Sequence, residues 1–306
     1  LGIPARIRAY TGRSALVDGI PFRLPVQTVN SPALFAAFSI DAGAARALLP
    51  GNEVYPLRLW KRGLLVISVI DYLDTTIGKY IEFSIAIACT HGRRQAPPLL
   101  PAIFQAWYGT GQYVVDLPVS SEISVKGGKG IWGMPKHQAS LDYRVEERTV
   151  SSQYDVAPGQ LGMRIEIDRP KRAWLPLAAS AANYCEFRGL LMKSYVDFKG
   201  KIGFKLFAKG AARLLIGDHP QMAWLKTLDI RPEALFTAFI PAANGVLDDH
   251  FESWFLTFPE MPAQPFPGLE TVVNLGQSQT WPPPPTADGR DAGAAAAQAP
   301  VASGSP

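Results

Sequence analysis

Two neighbouring runs constrain the fold more than anything else in this sequence. Residues 64–73 are apolar almost without a break and rich in Val and Ile, the pattern of a strand buried on both faces. Residues 80–89 alternate instead. Ile81, Phe83, Ile85 and Ile87 point one way, and Tyr80, Glu82, Ser84 and Ala86 the other. Further strand-like segments follow at 113–117, 140–146, 149–156 and 162–167. Residues 191–198 and 202–207 flank Lys199-Gly200-Lys201, which predicts a hairpin there. Helical signals are few. Asp41 can cap a short Ala-rich helix over 42–49, ended by Pro50, and 98–108 can hold another helical turn or two. Many strands at short spacing, with helices as trimmings, predict an all-β, mainly antiparallel barrel or sandwich. No internal repeat of fixed period is present.

The pattern changes after about Ser278. Trp281 is followed by four prolines and then by an Ala/Gly/Ser/Pro mixture to Pro306, a composition that buries too little apolar surface to order itself. The expected organisation is one folded domain over 1–280 and a disordered tail over 281–306. With 47% hydrophobic and 18% charged residues, the body has an ordinary globular balance and can build a core without disulfide staples. Cys89 and Cys185 read as buried small hydrophobes in a reducing compartment, and one bridge between them stays open.

The net charge of +4 comes from scattered basic residues and not from a run, so a nucleic-acid surface is not expected. A mild positive potential attracts small carboxylates. No stretch reaches the ~20 apolar residues of a membrane span. Residues 1–10 lack the apolar core of a signal peptide, and the expected location is cytoplasmic.

Several motifs fail on inspection. Gly109-Thr110-Gly111 lacks the third glycine of a dinucleotide fingerprint, and Gly130 follows Lys129 where a phosphate loop needs Ser or Thr. There is no G-x-S-x-G elbow and no H-E-x-x-H helix. Cys89 and His91 alone are too few for a metal site, and no cofactor or metal is expected. Asp248, Asp249, His250 and Glu252 read as the solvated start of a C-terminal helix.

The segment Gly130-Ile131-Trp132-Gly133-Met134-Pro135-Lys136-His137 is different. It sets a lysine directly after a proline in an apolar, Gly-bracketed stretch, which predicts a stiff turn or strand edge. Ile131, Trp132 and Met134 can form a dry wall that strips water from the amine and disfavours its charged form. A neutral amine is what attack on a ketone carbonyl requires. On the residues alone the competing reading is a lysine that snorkels its ammonium to water.

Trp132-Gly133-Met134-Pro135-Lys136, with Glu82 about fifty residues earlier on an alternating strand, resembles the acetoacetate decarboxylase family. The resemblance runs from about residue 37 to 258. It implies a large antiparallel β barrel or cone around the active site, homo-oligomeric assembly and a small-molecule keto acid as substrate. It also implies a Schiff-base mechanism. The lysine condenses with acetoacetate, carbon dioxide leaves, the enamine is protonated and hydrolysis releases acetone. Acetoacetate decarboxylase is itself the standard example of a lysine activated by desolvation or by a neighbouring cation. By this resemblance Lys136 is the nucleophile and Glu82 an acid/base or orienting group, with His137, Trp132 and Met134 as candidate pocket residues.

Period-two alternation alone sets Glu82 on the solvent face of an ordinary half-buried strand. In a closed barrel both faces are covered, and Ser84 and Ala86 would leave room for a ligand. His137 is equally open between surface and site. It stands where the acetone-forming enzymes carry a second lysine. Their mouth arginine and second pocket glutamate fall near Ser31 and at Ile67, so neither group is retained. Two other readings stay open: imine-forming aldol or dehydration chemistry on a larger keto acid, and a non-catalytic small-molecule-binding barrel.

Overall fold

The computed structural model of the chain describes residues 13–258. The 281–306 tail and the ends of the expected 1–280 domain lie outside the described residues.

The chain opens with a hairpin of β1 (Arg13–Val17) and β2 (Ile20–Leu24), then the long β3 (Val26–Asp41) and the helix α1 (Ala42–Ala47). The Asp41 carboxylate accepts from the Ala44 N–H at 2.7 Å, the expected N-cap. β4 (Val54–Pro56), β5 (Arg62–Tyr72), β6 (Asp74–Thr75) and β7 (Tyr80–His91) follow, then α2 (Leu100–Ile103) and β8 (Gly111–Val119). Next come α3 (Glu122–Trp132), β9 (Lys136–Gln138), β10 (Ser140–Val145), β11 (Thr149–Ala157) and β12 (Gln160–Asp168). β13 (Leu175–Phe187), β14 (Leu190–Leu206), β15 (Ala212–Ile216), α4 (Ala223–Lys226) and β16 (Ala234–Phe255) complete the order.

Seven strands close into a barrel in the order β7-β5-β3-β16-β14-β13-β8, and β8 returns to pair with β7. All these pairs are antiparallel except the short β13–β8 contact, where Asn183 and Tyr184 face Gln112 and Tyr113. Closure removes the exposed edges that an open sheet of this size would present. A second, four-stranded sheet runs β10-β11-β12-β15. Its Val150, Tyr154, Met163 and Ile165 share one buried cluster with Phe83, Ile85 and Ile87 of β7 and Leu65 and Ile67 of β5. The Phe83 and Tyr154 rings meet edge-on at 5.1 Å.

This arrangement decides what the two faces of β7 do. The apolar face is outside the barrel but covered by the second sheet, so the largest core lies between the two layers. The opposite face, carrying Tyr80, Glu82, Ser84 and Ala86, then points into the lumen.

Three segments depart from the sequence expectation. Lys199-Gly200-Lys201 is not a turn, because β14 runs through it with Lys199, Gly200 and Lys201 opposite Ala178, Leu177 and Pro176. Gly200 is required by a close approach: a Cβ there would meet Ile240 Cγ2 at 2.6 Å. The hairpin lies instead at Arg188-Gly189, both with positive φ (53° and 77°), as a tight two-residue turn requires. The acidic stretch at 248–252 lies inside β16 and not in a helix, and Asp248 is fully buried. Finally, the Gly-rich stretch 122–132 forms a helix that composition disguises. Ser121 caps its start, and Gly133 (φ 66°) ends it by donating to the Lys129 carbonyl.

Cys89 and Cys185 are both buried and free. Burial pushes the Cys185 thiol up to about 12, which leaves it unreactive near neutrality. No helix among the described residues is long and apolar enough to cross a membrane.

Candidate active site

Lys136 opens β9 and pairs in parallel with Leu117 of β8. Its backbone N–H donates across Pro135 to the Met134 carbonyl at 2.7 Å, so the proline step is a tight turn that aims the side chain inward. The side chain lies along α3 over Gly128, where a Cβ would meet Lys136 Cδ at 2.5 Å. A helix of poor intrinsic propensity is therefore what lets the lysine pass. Lys136 is 4% exposed.

Its ammonium is gripped on two sides. Nζ donates to Glu82 Oε2 at 2.6 Å and to Ser124 Oγ at 2.9 Å, and it sits 5.3 Å above the Tyr80 ring. The Tyr72 hydroxyl donates to the second oxygen of Glu82, Oε1, at 3.3 Å. Tyr80 stacks on Tyr72 with ring centroids 4.6 Å apart and is hydrogen-bonded to Tyr72 and Ser124. The contacts thus close a circuit: Lys136, Glu82, Tyr72, Tyr80, Ser124 and back to Lys136. Burial first, and then the Glu82 charge, raise both tyrosines well above the usual phenol range. They stay protonated at neutral pH, and Tyr72 serves as a hydrogen-bond donor to the carboxylate.

The circuit forms part of the wall of a cavity of about 120 Å³ inside the barrel. That is in the range of cavities that take up a molecule the size of benzene. Among the described lining residues, Lys136 and Glu82 alone carry charge. Phe35, Phe198, Leu117, Met134 and Ile240 make much of the apolar wall, and Gln112 and Asn183 add amides joined at 2.7 Å.

Of the five residues singled out in the sequence, the structure brings Lys136, Glu82 and Met134 to this cavity. Trp132 and His137, expected in the pocket, are not among the residues that line this cavity. Trp132 is 2% exposed and its indole N–H donates to the Asp248 carbonyl at 3.1 Å, pinning the end of α3 to β16. His137 follows Lys136 on a strand, so period two turns it to the other face. There its Nε2 lies 2.8 Å from Asp116 Oδ1. Burial opposes charging of this imidazole, but the Asp116 carboxylate outweighs it and raises its proton affinity.

Ser31 is buried and lines the cavity. Ile67 faces the outer core, and Ser68 is the lumen residue beside it. Tyr72, Tyr80 and Ser124 were not singled out in the sequence. Tyr80 shares the parity of Glu82 on an alternating strand, a signal that could have found it. Ser124 carried none, because its helix was hidden. Among the described residues no three His, Cys, Asp or Glu side chains gather where a metal ion could be held.

The acetoacetate decarboxylase family model matches residues 4–182, more than half of the sequence. The chain belongs to this family. Solved acetoacetate decarboxylases share its fold. One, at 19% identity, superposes with a TM-score of 0.54 over 76% of this chain and 91% of its own. The enzyme from Legionella pneumophila subsp. pneumophila str. Philadelphia 1, at 17% identity, gives 0.51 over 73% and 85%. The enduracididine biosynthesis enzyme MppR, complexed with the condensation product of pyruvate and imidazole 4-carboxaldehyde, gives 0.50 at 14% identity over 75% and 88%. At these identities the likeness concerns the fold. No curated protein matches the sequence.

Proposed function

We propose that this acetoacetate decarboxylase family member is a lysine Schiff-base lyase that decarboxylates a β-keto acid. One observation carries the reading: a buried lysine amine, 2.6 Å from a carboxylate and inside a cavity of substrate size.

Glu82 takes a proton from Lys136, and the free amine adds to the keto carbon. Loss of water from the carbinolamine leaves an iminium. The electron pair of the bond to the carboxylate moves into that iminium as carbon dioxide departs, leaving an enamine. Protonation at carbon, with Glu82 as the donor and Tyr72 holding its other oxygen, regenerates an iminium. Water hydrolyses it to a ketone and the free amine. The protein amine is the electron sink. Glu82 gives its proton to the hydroxyl that leaves as water and is reprotonated from solvent before it protonates carbon. The water lost and the water used therefore cancel, and one proton is taken up per turnover. The largely apolar wall supports the central step, since a carboxylate deprived of water is poised to leave as a neutral gas.

A second reading keeps the imine and replaces decarboxylation by aldol condensation or dehydration of a larger keto acid. It is favoured by the lining, where among the described residues no arginine stands beside Lys136 to hold a small carboxylate. MppR, with its bound condensation product, supplies a precedent for such chemistry on this fold.

Borohydride trapping with acetoacetate, followed by peptide mass mapping of wild type and Lys136→Ala, tests the shared step. We expect a reduced adduct on Lys136 that the variant lacks. Absence of an adduct with acetoacetate, pyruvate and larger keto acids would leave a non-catalytic binding barrel, whose ligand affinity Lys136→Arg should preserve. Acetone and carbon dioxide from acetoacetate mark the lyase. A coupled product from pyruvate plus an aldehyde, without them, marks the aldolase.

A further inference from the structure

We propose that Ser68 and Ser84 form the subsite that binds the carboxylate of a small β-keto acid while its keto carbon is bonded to Lys136. The proposal rests on the imine chemistry at Lys136 and assigns the residues that hold the leaving group.

The two serines stand on neighbouring strands, β5 and β7, and are direct cross-strand partners. Both line the cavity that holds Lys136, and both are buried, at 8% and 7% exposed. Directly opposed residues on one face of an antiparallel pair have Cβ atoms about 4.5–5.5 Å apart. Two rotatable hydroxyls at that spacing can each donate to one oxygen of a single carboxylate. Ser84 also shares the lumen face of β7 with Glu82. It lies two residues farther along, roughly 7 Å at ~3.3 Å per residue. Lys136 Nζ meets the Glu82 carboxylate at 2.6 Å. About one side-chain length thus separates the imine position from the hydroxyls, which suits a carboxyl group two bonds from the keto carbon.

The protein leaves these two hydroxyls unused. The other hydroxyls on the described cavity wall are spent. Thr28 and Ser31 bond to each other at 2.6 Å, Thr75 donates to the Gly78 carbonyl at 2.6 Å, and Tyr72 and Tyr80 belong to the circuit of Glu82 and Ser124. Neither Ser68 nor Ser84 has a hydrogen-bond partner among the described residues. A buried hydroxyl without a partner is destabilising, and a ligand that supplies an acceptor relieves it. The acceptor that the reaction brings is the substrate carboxylate. Beyond Ser68 the wall turns apolar, since β3 sets Phe35 opposite it and Phe35 stacks on Phe198 with ring centroids 6.3 Å apart. A carboxylate placed here has the two hydroxyls as donors and the iminium charge at Lys136 as its counterion. Neutral donors also suit its departure. They hold the carboxylate less tightly than a guanidinium would, so less binding is lost as carbon dioxide forms and the electron pair passes to the iminium.

The test measures initial rates of borohydride trapping at Lys136 against the concentration of two ketones of one shape. One is acetoacetate, and the other is methyl isobutyl ketone, whose isopropyl group replaces the carboxylate. Ser68→Ala and Ser84→Ala should each raise the half-saturating concentration of acetoacetate about tenfold, a usual return for a hydrogen bond to a charged group. For methyl isobutyl ketone the same variants should shift it by less than about twofold. Each variant deletes an unpartnered buried hydroxyl, so the melting temperature should stay unchanged or rise slightly. An acetoacetate value unmoved in either variant overturns the proposal. Equal shifts for both ketones also overturn it, because the serines then only shape the cavity. Trapping of wild type separates the two levels. An adduct in wild type, with no carboxylate-specific shift in the variants, sinks the subsite alone. No adduct with acetoacetate, methyl isobutyl ketone or pyruvate sinks the imine reading and this proposal with it.

Discussion

At the scale of single residues, the site is a lysine held by neighbours that each do one thing. Glu82 accepts one hydrogen bond from its amine, Ser124 accepts a second, and the two tyrosines tie the carboxylate and the serine into one circuit. Gly128 contributes by lacking a side chain. A Cβ there would stand 2.5 Å from Lys136 Cδ, and the flexible lysine, not the helix, is the part that can yield. Alanine also raises helix propensity by about 1 kcal/mol over glycine. Gly128→Ala should therefore leave the melting temperature unchanged or slightly higher while slowing imine trapping at Lys136 by about tenfold or more. Parallel calorimetry and timed borohydride trapping check this. Equal trapping rates would show that the lysine has another path past α3.

At the scale of elements, β9 carries two ionisable neighbours to opposite sides of one strand. Lys136 enters the lumen, and His137 turns outward to Asp116, with Lys129 also acting on it. The net effect of these groups raises the His137 proton affinity in the folded state above the ordinary value near 6.5. Its contribution to stability is thus fully present below about pH 6.5 and is lost as pH rises through the elevated folded value. The imidazole is 42% exposed, so solvent screening keeps the effect small. Urea midpoints measured from pH 5.5 to 8.5 should fall modestly across that window in wild type, and Asp116→Asn should flatten the slope. An unchanged slope in the variant would show that Asp116 is not the cause.

At the scale of the whole molecule, the second sheet makes the barrel an enclosed vessel, because it covers an apolar outer face that would otherwise meet water. Other apolar surface is left uncovered. On and just after α2, Ile103, Phe104 and Trp107 are 71%, 56% and 87% exposed. Large side chains clustered like this are costly to leave in water and are typical of association surfaces. We propose homo-oligomeric assembly through this face. Sedimentation velocity should give a particle larger than a monomer, and Ile103→Glu/Trp107→Glu should shift it toward the monomer. A wild-type monomer at micromolar concentration would overturn the assignment.

The sequence by itself determined the strand-rich class, the Asp41 cap and the Pro135-Lys136 turn, because each rests on a local preference of backbone or side chain. It also carried, unread, the separation of Lys136 from His137, since consecutive strand residues must face opposite sides. Tertiary structure alone decided the rest. Alternation in β7 distinguishes a polar face from an apolar one but does not say what covers either. The second sheet, distant in sequence, turned the apolar face into core and the polar face into lumen. The same holds for α3, whose glycines argue against a helix until Lys136 packs on Gly128. Lys199-Gly200-Lys201 has turn-like composition, yet β13 and β16 pair along both sides of β14 and carry it through as strand. In each case the deciding contact joins residues far apart in the chain, where local pattern has no reach.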